Sequence, residues 1–99
     1  MTLGIIVINL DRDEERMAHM RGELERAGLR YERFSALRGD GLPADLARYF
    51  PVDAHLSPGE IGCYASHLAI LQRIARGELA SPQLVLEDDV GLPADLPAA

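Results

Sequence analysis

Hydrophobic residues in this chain form short runs that alternate with longer segments of helical periodicity. The first run, residues 3–10, contains four consecutive aliphatic residues, all β-branched, and predicts a central strand covered on both faces. Residues 12–27 then repeat apolar side chains at the spacing of an amphipathic helix, and Gly28 stands just beyond its expected end. We expect Asp11 to cap the start of this helix.

The middle of the chain predicts a second strand and two more helices. Residues 31–37 mix aromatic and charged side chains, which is typical of a strand nearer the edge of a sheet. Pro43 suits the first position of a short helix that runs to about Phe50. Residues 57–60, Ser-Pro-Gly-Glu, give a strong start signal for a helix over residues 58–76. That helix is apolar on more than one side, so we expect it to be mostly buried.

The last apolar run ends abruptly in three acids, Glu87, Asp88 and Asp89. The run itself, residues 84–86, predicts a short strand buried on both faces. The element order β-α-β-α-α-β is typical of an α/β fold with a parallel sheet. Open sheets of this kind bind ligands outside the carboxyl ends of their strands, and carboxylate oxygens suit Mg or Mn there. The alternative is that the acids are solvated turn residues.

Composition narrows the class of protein. The 99 residues indicate one small domain, and the net charge of −6 with no basic patch argues against a nucleic-acid partner. The single cysteine, Cys63, predicts a buried, reduced thiol and a reducing compartment. Residues 1–10 are too short to cross a bilayer and no other segment is long enough, so we expect no transmembrane segment.

Three motifs occur in a fixed order along the chain. They are Ile-Asn-Leu-Asp-Arg at residues 8–12 with Arg16, Leu-Ser-Pro-Gly-Glu-Ile-Gly-Cys at 56–63 with Ser66-His67, and Leu-Val-Leu-Glu-Asp-Asp at 84–89. Together they make the chain resemble glycosyltransferase family 25, the lipopolysaccharide biosynthesis glycosyltransferases, over nearly its whole length. The resemblance implies a Rossmann-like, GT-A-type nucleotide-sugar-binding half with a small, mostly parallel sheet flanked by helices. It also implies that residues 1–99 are a truncated N-terminal portion of such a domain.

The resemblance implies that the protein transfers a sugar, often galactose from UDP-galactose, to a lipooligosaccharide acceptor. A Mn or Mg ion would bridge the donor phosphates, and the family's Asp-X-Asp equivalent falls on the acid triplet. We expect Asp89 to be the main metal ligand, with Glu87 as a second ligand and Asp88 in a supporting, substrate-binding role. The expected location is the cytoplasm, including the inner face of a bacterial membrane.

Further substrate-binding residues are expected around the first strand. Asn9, Asp11 and Arg12 would border the same crevice if the acidic strand lies beside the first strand. Arg12 and Arg16, one turn apart at a helix N-terminus, would add positive charge near a phosphate. The alternative is that both are solvated helix arginines. His67 is expected to hydrogen-bond the acidic loop or a phosphate, and the alternative is a core histidine.

Two other hypotheses stand beside sugar transfer. The chain could be a non-catalytic, truncated module that binds a nucleotide sugar or a partner and lacks the acceptor half, or a plain α/β scaffold. A nucleophilic Ser66-His67 pair is excluded because consecutive helix residues point about 100° apart. No residue is assigned as the general base. An uncovered sheet edge would leave self-association open.

Overall fold

The computed structural model describes residues 4–51, 55–79 and 82–89. Its elements follow the predicted order: β1 (Gly4–Asn9), α1 (Glu14–Arg26), β2 (Glu32–Ser35), α2 (Ala44–Ala47), α3 (Pro58–Ala75) and β3 (Gln83–Glu87). The three strands pair in the order β2-β1-β3, and both pairings are parallel. The predicted α/β fold with a small parallel sheet is therefore confirmed.

The chain divides into two compact units. Among the described residues, the first unit comprises 4–35 and 82–89 and contains the sheet and α1. The second comprises 36–51 and 55–79 and contains α2 and α3. The first unit is thus assembled from two stretches of sequence, because the last strand returns to pair with the first.

The core of the first unit lies between the sheet and α1. Alternate residues of β1 face the helix, and the apolar stripe predicted for α1 packs against them. The buried members of this core are Ile5, Val7, Met17, Met20, Leu24 and Leu86. On the other face of β1, Ile6 and Ile8 are also buried, which confirms a central strand covered on both sides. Burial of one such side chain contributes about 1.5–3 kcal/mol.

The outer strands depart from the sequence prediction. β2 is shorter than residues 31–37. The expectation that residues 84–86 are buried on both faces is wrong: Leu84 is exposed, Val85 is half-buried and only Leu86 is buried. Within the described sheet β3 has a neighbour on one side only, so it is covered less completely than β1.

The start of α1 also differs, whereas its end agrees. The helix begins at Glu14, with Asp13 in the N-cap position, and the Asp13 side chain makes no capping hydrogen bond. The expectation that Asp11 caps this helix is therefore wrong. At the other end Gly28 has a φ of 70°, and the amide of Leu29 donates to the carbonyl of Leu24 at 3.0 Å. Glycine adopts this left-handed conformation without steric cost, so it ends the helix as predicted.

The second unit contains a reciprocal N-terminal cap at the start of α3. Ser57 Oγ accepts a hydrogen bond from the amide of Glu60 at 3.1 Å, and the Glu60 carboxylate accepts one from the amide of Ser57 at 3.2 Å. This reciprocal pair is the predicted capping box, worth about 1 kcal/mol. The short helix predicted from Pro43 to Phe50 is only Ala44–Ala47, with Pro43 at its N-cap position.

The expectation that α3 is mostly buried is wrong. Tyr64 is 55% and Leu71 60% exposed, whereas Ala65 and Ile70 are buried. The apolar residues of α3 spread around more of its circumference than the described residues cover. Cys63 is half-buried rather than buried. Among the described residues, no helix is both long and apolar enough to cross a membrane.

Candidate functional site

The carboxyl ends of the three strands carry the candidate site. β1 ends at Asn9, β2 at Ser35 and β3 at Glu87, and parallel pairing brings these ends to one edge of the sheet. Ile8 pairs directly with Glu87, so the acidic strand lies beside β1, which is the condition for a crevice shared by their carboxyl ends. This is the edge at which open α/β sheets bind ligands.

Asn9 is the centre of the site. It is 3% exposed, and its Nδ2 donates to Asp88 Oδ2 at 2.7 Å and to the carbonyl oxygen of Asp13 at 3.0 Å. Its Oδ1 accepts from Arg33 Nε at 3.0 Å. Reversing the amide would direct Oδ1 at two oxygens and Nδ2 at a guanidinium, so the contacts define one orientation.

Arg33 joins the end of β2 to the end of β1. Its Nη2 donates to the backbone oxygen of Asn9 at 3.1 Å and also to the carboxylate of Asp11. Ser35, on the same side of β2, donates from Oγ to Asp11 Oδ1 at 2.8 Å. The hydrogen bond from Arg33, followed by the one from Ser35, holds the pKa of Asp11 below its ordinary value of 3.8.

Sequence reasoning did not identify Arg33 or Ser35 as site residues. The sequence feature that could have identified them is their spacing: two residues apart, they lie on one side of a strand, at its carboxyl end. Two charged residues within the predicted segment 31–37 were instead attributed to an edge position. Only the pairing of Asn9 with Ser35 shows that this strand end reaches the site.

Asp88 is anchored by residues from two other elements. Its Oδ2 accepts from Asn9, and its Oδ1 lies 3.6 Å from Arg16 Nη1 on α1. The Asp88 side chain is 11% exposed, whereas that of Arg16 is 61% exposed. Glu87 and Asp89, on either side of Asp88, are both exposed. The triplet thus has one anchored carboxylate between two that reach solvent, and such oxygens are ligands that Mg and Mn prefer.

The structure brings several of the predicted site residues of the first unit together. Asn9, Asp11, Arg16 and Asp88 share one hydrogen-bonded and ionic network at the sheet edge; Arg33 and Ser35 belong to the same network. Arg12 is exposed in the turn between β1 and α1. His67 is half-buried on α3, in the second unit.

The middle motif has a structural explanation. The hydroxyl of Ser66 is fully buried; it accepts from the amide of Leu37 at 2.9 Å and donates to the carbonyl of Gly62 at 2.7 Å. A Cβ on Gly62 would collide with the carbonyl oxygen of Leu37, and one on Gly39 would collide with the backbone of Pro58. Gly and Ser at these positions let α3 lie against the loop that follows β2, so Ser66 has a packing role.

Comparison with known proteins gives a consistent result. The family whose model matches this chain is described as glycosyltransferase family 25 (LPS biosynthesis protein), and the match covers residues 2–98. The chain is 38% identical over 97 residues to a "Glycosyltransferase 25 family member" of Drosophila pseudoobscura pseudoobscura, an alignment that covers 87% of this chain and 15% of that protein. A protein of the same description from Anopheles gambiae is also 38% identical over 97 residues, and that alignment covers 87% of this chain and 16% of that protein.

A third relative comes from a virus. "Putative glycosyltransferase R655" of Acanthamoeba polyphaga mimivirus is 39% identical over 93 residues, covering 89% of this chain and 29% of the relative. The chain therefore spans less than a third of the length of each of these curated relatives.

Proposed function

The chain belongs to glycosyltransferase family 25, and from this we propose that it forms the donor-binding part of an enzyme that transfers a sugar from a nucleotide sugar to an acceptor. Family membership supports glycosyl transfer in general, with a sugar donor and an acceptor as partners. Our proposal is more specific. The donor is UDP-galactose, the acceptor is a lipopolysaccharide or lipooligosaccharide, and the sheet belongs to a GT-A-type fold that works in the cytoplasm.

The acid triplet at the carboxyl edge of the parallel sheet carries this proposal. We propose that Asp89 and Glu87 hold a Mn or Mg ion, since both carboxylates are exposed there. When bound, the ion neutralises charge on the diphosphate that leaves with the nucleotide. Asp88 contributes by position, because its two oxygens face Asn9 and Arg16.

Positive charge near the diphosphate comes from the start of α1. Arg12 and Arg16 lie at or just before its first turn, where backbone amides already favour anions. Arg16 is exposed and only 3.6 Å from Asp88, so a rotation of its side chain would bring the guanidinium from the carboxylate to a phosphate. Asn9 and Asp11 border the same edge and are proposed to contact the nucleotide.

Calorimetric titration with UDP-galactose tests the proposal. With Mn present we expect binding by the unmodified chain, and loss of that binding when the metal is chelated. Glu87→Gln and Asp89→Asn should each weaken Mn-dependent binding by about tenfold or more. Asp45→Asn removes the same charge from an exposed position of α2 and should leave binding unchanged. Absence of Mn-dependent binding in the folded, unmodified chain would contradict the proposal.

His67 requires its own test because it lies in the second unit. If it binds substrate, His67→Ala should weaken binding of UDP-galactose while circular dichroism and the urea midpoint stay close to those of the unmodified chain. If it is a core histidine, the substitution should lower the urea midpoint instead.

A non-catalytic nucleotide-sugar-binding module is the second candidate. A sugar-transfer assay separates the two. Release of UDP in the presence of acceptor supports the enzyme, and Mn-dependent binding without release supports the module.

A further inference from the structure

A continuous set of side-chain contacts crosses all three strands at the edge that carries the acids. It starts at Arg33 on β2, passes through Asn9 on β1 and ends at Asp88, directly after β3. In the strand order β2-β1-β3 the two outer strands are not neighbours, and among the described residues the contacts that link Arg33 to Asp88 pass through β1. Asn9, whose amide joins Arg33 Nε at 3.0 Å to Asp88 Oδ2 at 2.7 Å, makes that link.

The contact between Arg33 and Asn9 depends on the shape of the guanidinium. Nε donates to the side-chain oxygen of Asn9, and Nη2 donates to its backbone oxygen at 3.1 Å. The two donors therefore fix the side chain and the strand end together. A lysine ammonium is a point charge and lacks this fork, so it cannot make both contacts in the same geometry. Asp11, held by Ser35, accepts from the same Nη2 and keeps the guanidinium in place.

The direction of the contacts gives Arg33 an effect on the acids. A cation on Oδ1 polarises the Asn9 amide, and this strengthens the donation from Nδ2 to the Asp88 carboxylate. Because Asn9 is almost completely buried, water does not compete for these positions. An Asn9 side chain without its Arg33 contact would have a buried, unsatisfied oxygen and would rotate or draw in water.

We propose that Arg33 is a positioning residue for the acidic turn, residues 87–89. By fixing the Asn9 amide it fixes Asp88, and Asp88 in turn sets where the flanking carboxylates of Glu87 and Asp89 stand. The functional consequence rests on the proposed function, because it assumes that these two carboxylates hold the metal. Removing a group that orients metal ligands without contacting the metal itself typically lowers metal affinity 10- to 100-fold.

Three variants test the proposal. Arg33→Gln removes the charge and the fork, and Arg33→Lys keeps the charge without the fork. Arg38→Gln is the matched control, since Arg38 also donates through Nε and Nη2, to Asp40, at an exposed position of the second unit. Two quantities are measured for each: the amide chemical shifts of residues 87–89 with the side-chain amide of Asn9 by nitrogen-15 NMR, and the affinity for Mn in the presence of UDP.

Both Arg33 variants should shift the amide signals of residues 87–89 and of the Asn9 side chain, and both should lower Mn affinity by at least about tenfold. Arg38→Gln should change neither. Unchanged signals at residues 87–89 in Arg33→Gln would overturn the positioning role, and so would wild-type behaviour of Arg33→Lys, which would make charge alone sufficient. If the unmodified chain binds no Mn with UDP while Arg33→Gln still shifts these signals, the proposed function fails and the positioning role stands.

Discussion

At the scale of single residues, the site is organised by the side-chain amide of Asn9, which follows the apolar residues of β1. Asn9 replaces the next aliphatic side chain of β1 and faces oxygens on one side and a guanidinium on the other. An amide can donate two hydrogen bonds to the first and accept one from the second, whereas a hydroxyl has only one hydrogen to donate. Fewer side chains therefore fit at position 9 than its burial alone would allow.

Asn9→Asp should destabilise the protein strongly. It replaces the donor that faces Asp88 and the Asp13 carbonyl with a second carboxylate, and we expect a loss of about 3 kcal/mol at neutral pH, measured by urea unfolding. Combining it with Asp88→Asn restores a donor and acceptor between the two positions. The double variant should recover at least about 1 kcal/mol over the sum of the single effects. Strict additivity would contradict the contact.

Asp11 predicts a specific response to pH. Its pKa is held below 3.8 by Arg33 and, to a smaller extent, by Ser35. A lowered folded pKa contributes stability that is present above the unfolded value, near 3.8, and is lost as the pH falls through the folded value. Carbon-13 NMR titration should show the pKa of Asp11 rising more in Arg33→Gln than in Ser35→Ala. Equal values in both variants and the unmodified chain would contradict this assignment.

At the scale of elements, local signals and tertiary contacts contribute differently to the two long helices. The capping box of α3 and the glycine at 28, which has a positive φ, were readable from the sequence because each satisfies backbone groups within a few residues. The cap of α1 was not. Asp11 had the right chemistry to be a cap, but its carboxylate accepts from Arg33 and Ser35 on a neighbouring strand instead.

Gly62 and Gly22 form a matched pair for testing helix packing. Both lie inside helices, where alanine is intrinsically preferred by about 1 kcal/mol. A Cβ on Gly62 would collide with the Leu37 carbonyl oxygen, whereas one on Gly22 meets nothing closer than Arg26 Nη1 at 3.9 Å. Gly62→Ala should therefore destabilise by about 1–3 kcal/mol and Gly22→Ala should be neutral or stabilising, in urea unfolding. A stabilising effect of Gly62→Ala would show that the backbone around Leu37 moves away from the added Cβ at little cost, and it would contradict this prediction.

At the scale of the whole molecule, the order of the strands makes the site possible. The N-terminal strand is central, so residues from both ends of the described chain meet: Asn9 and Asp88 are 79 positions apart in sequence and 2.7 Å apart in space. The first unit therefore depends on the return of β3, and a ligand held at its edge would tie both of its segments together.

This arrangement predicts where ligand binding should stabilise the chain. When Mn and UDP are present at a hundred times their dissociation constant, binding should add about 2.7 kcal/mol to the free energy of unfolding of the unit that holds the site. Hydrogen exchange should slow in β1, β2 and β3 together, more than in α2 and α3. Protection limited to residues 87–89, or confined to the second unit, would contradict a site on the sheet edge.

The sequence by itself determined the elements, the parallel α/β class, the central strand and the acidic strand end, because hydrophobic period, capping residues and glycine stops act over a few neighbouring residues. It also predicted that Asn9 and the acids border one crevice, on the condition that the acidic strand lies beside the first strand. Only the tertiary structure decided that Arg33 and Ser35 join them, that Asp11 binds a strand instead of capping a helix, and that Leu84, Tyr64 and Leu71 are exposed. Those outcomes depend on which strands become neighbours and on how much of each face is covered, and a pattern along one chain does not contain that information.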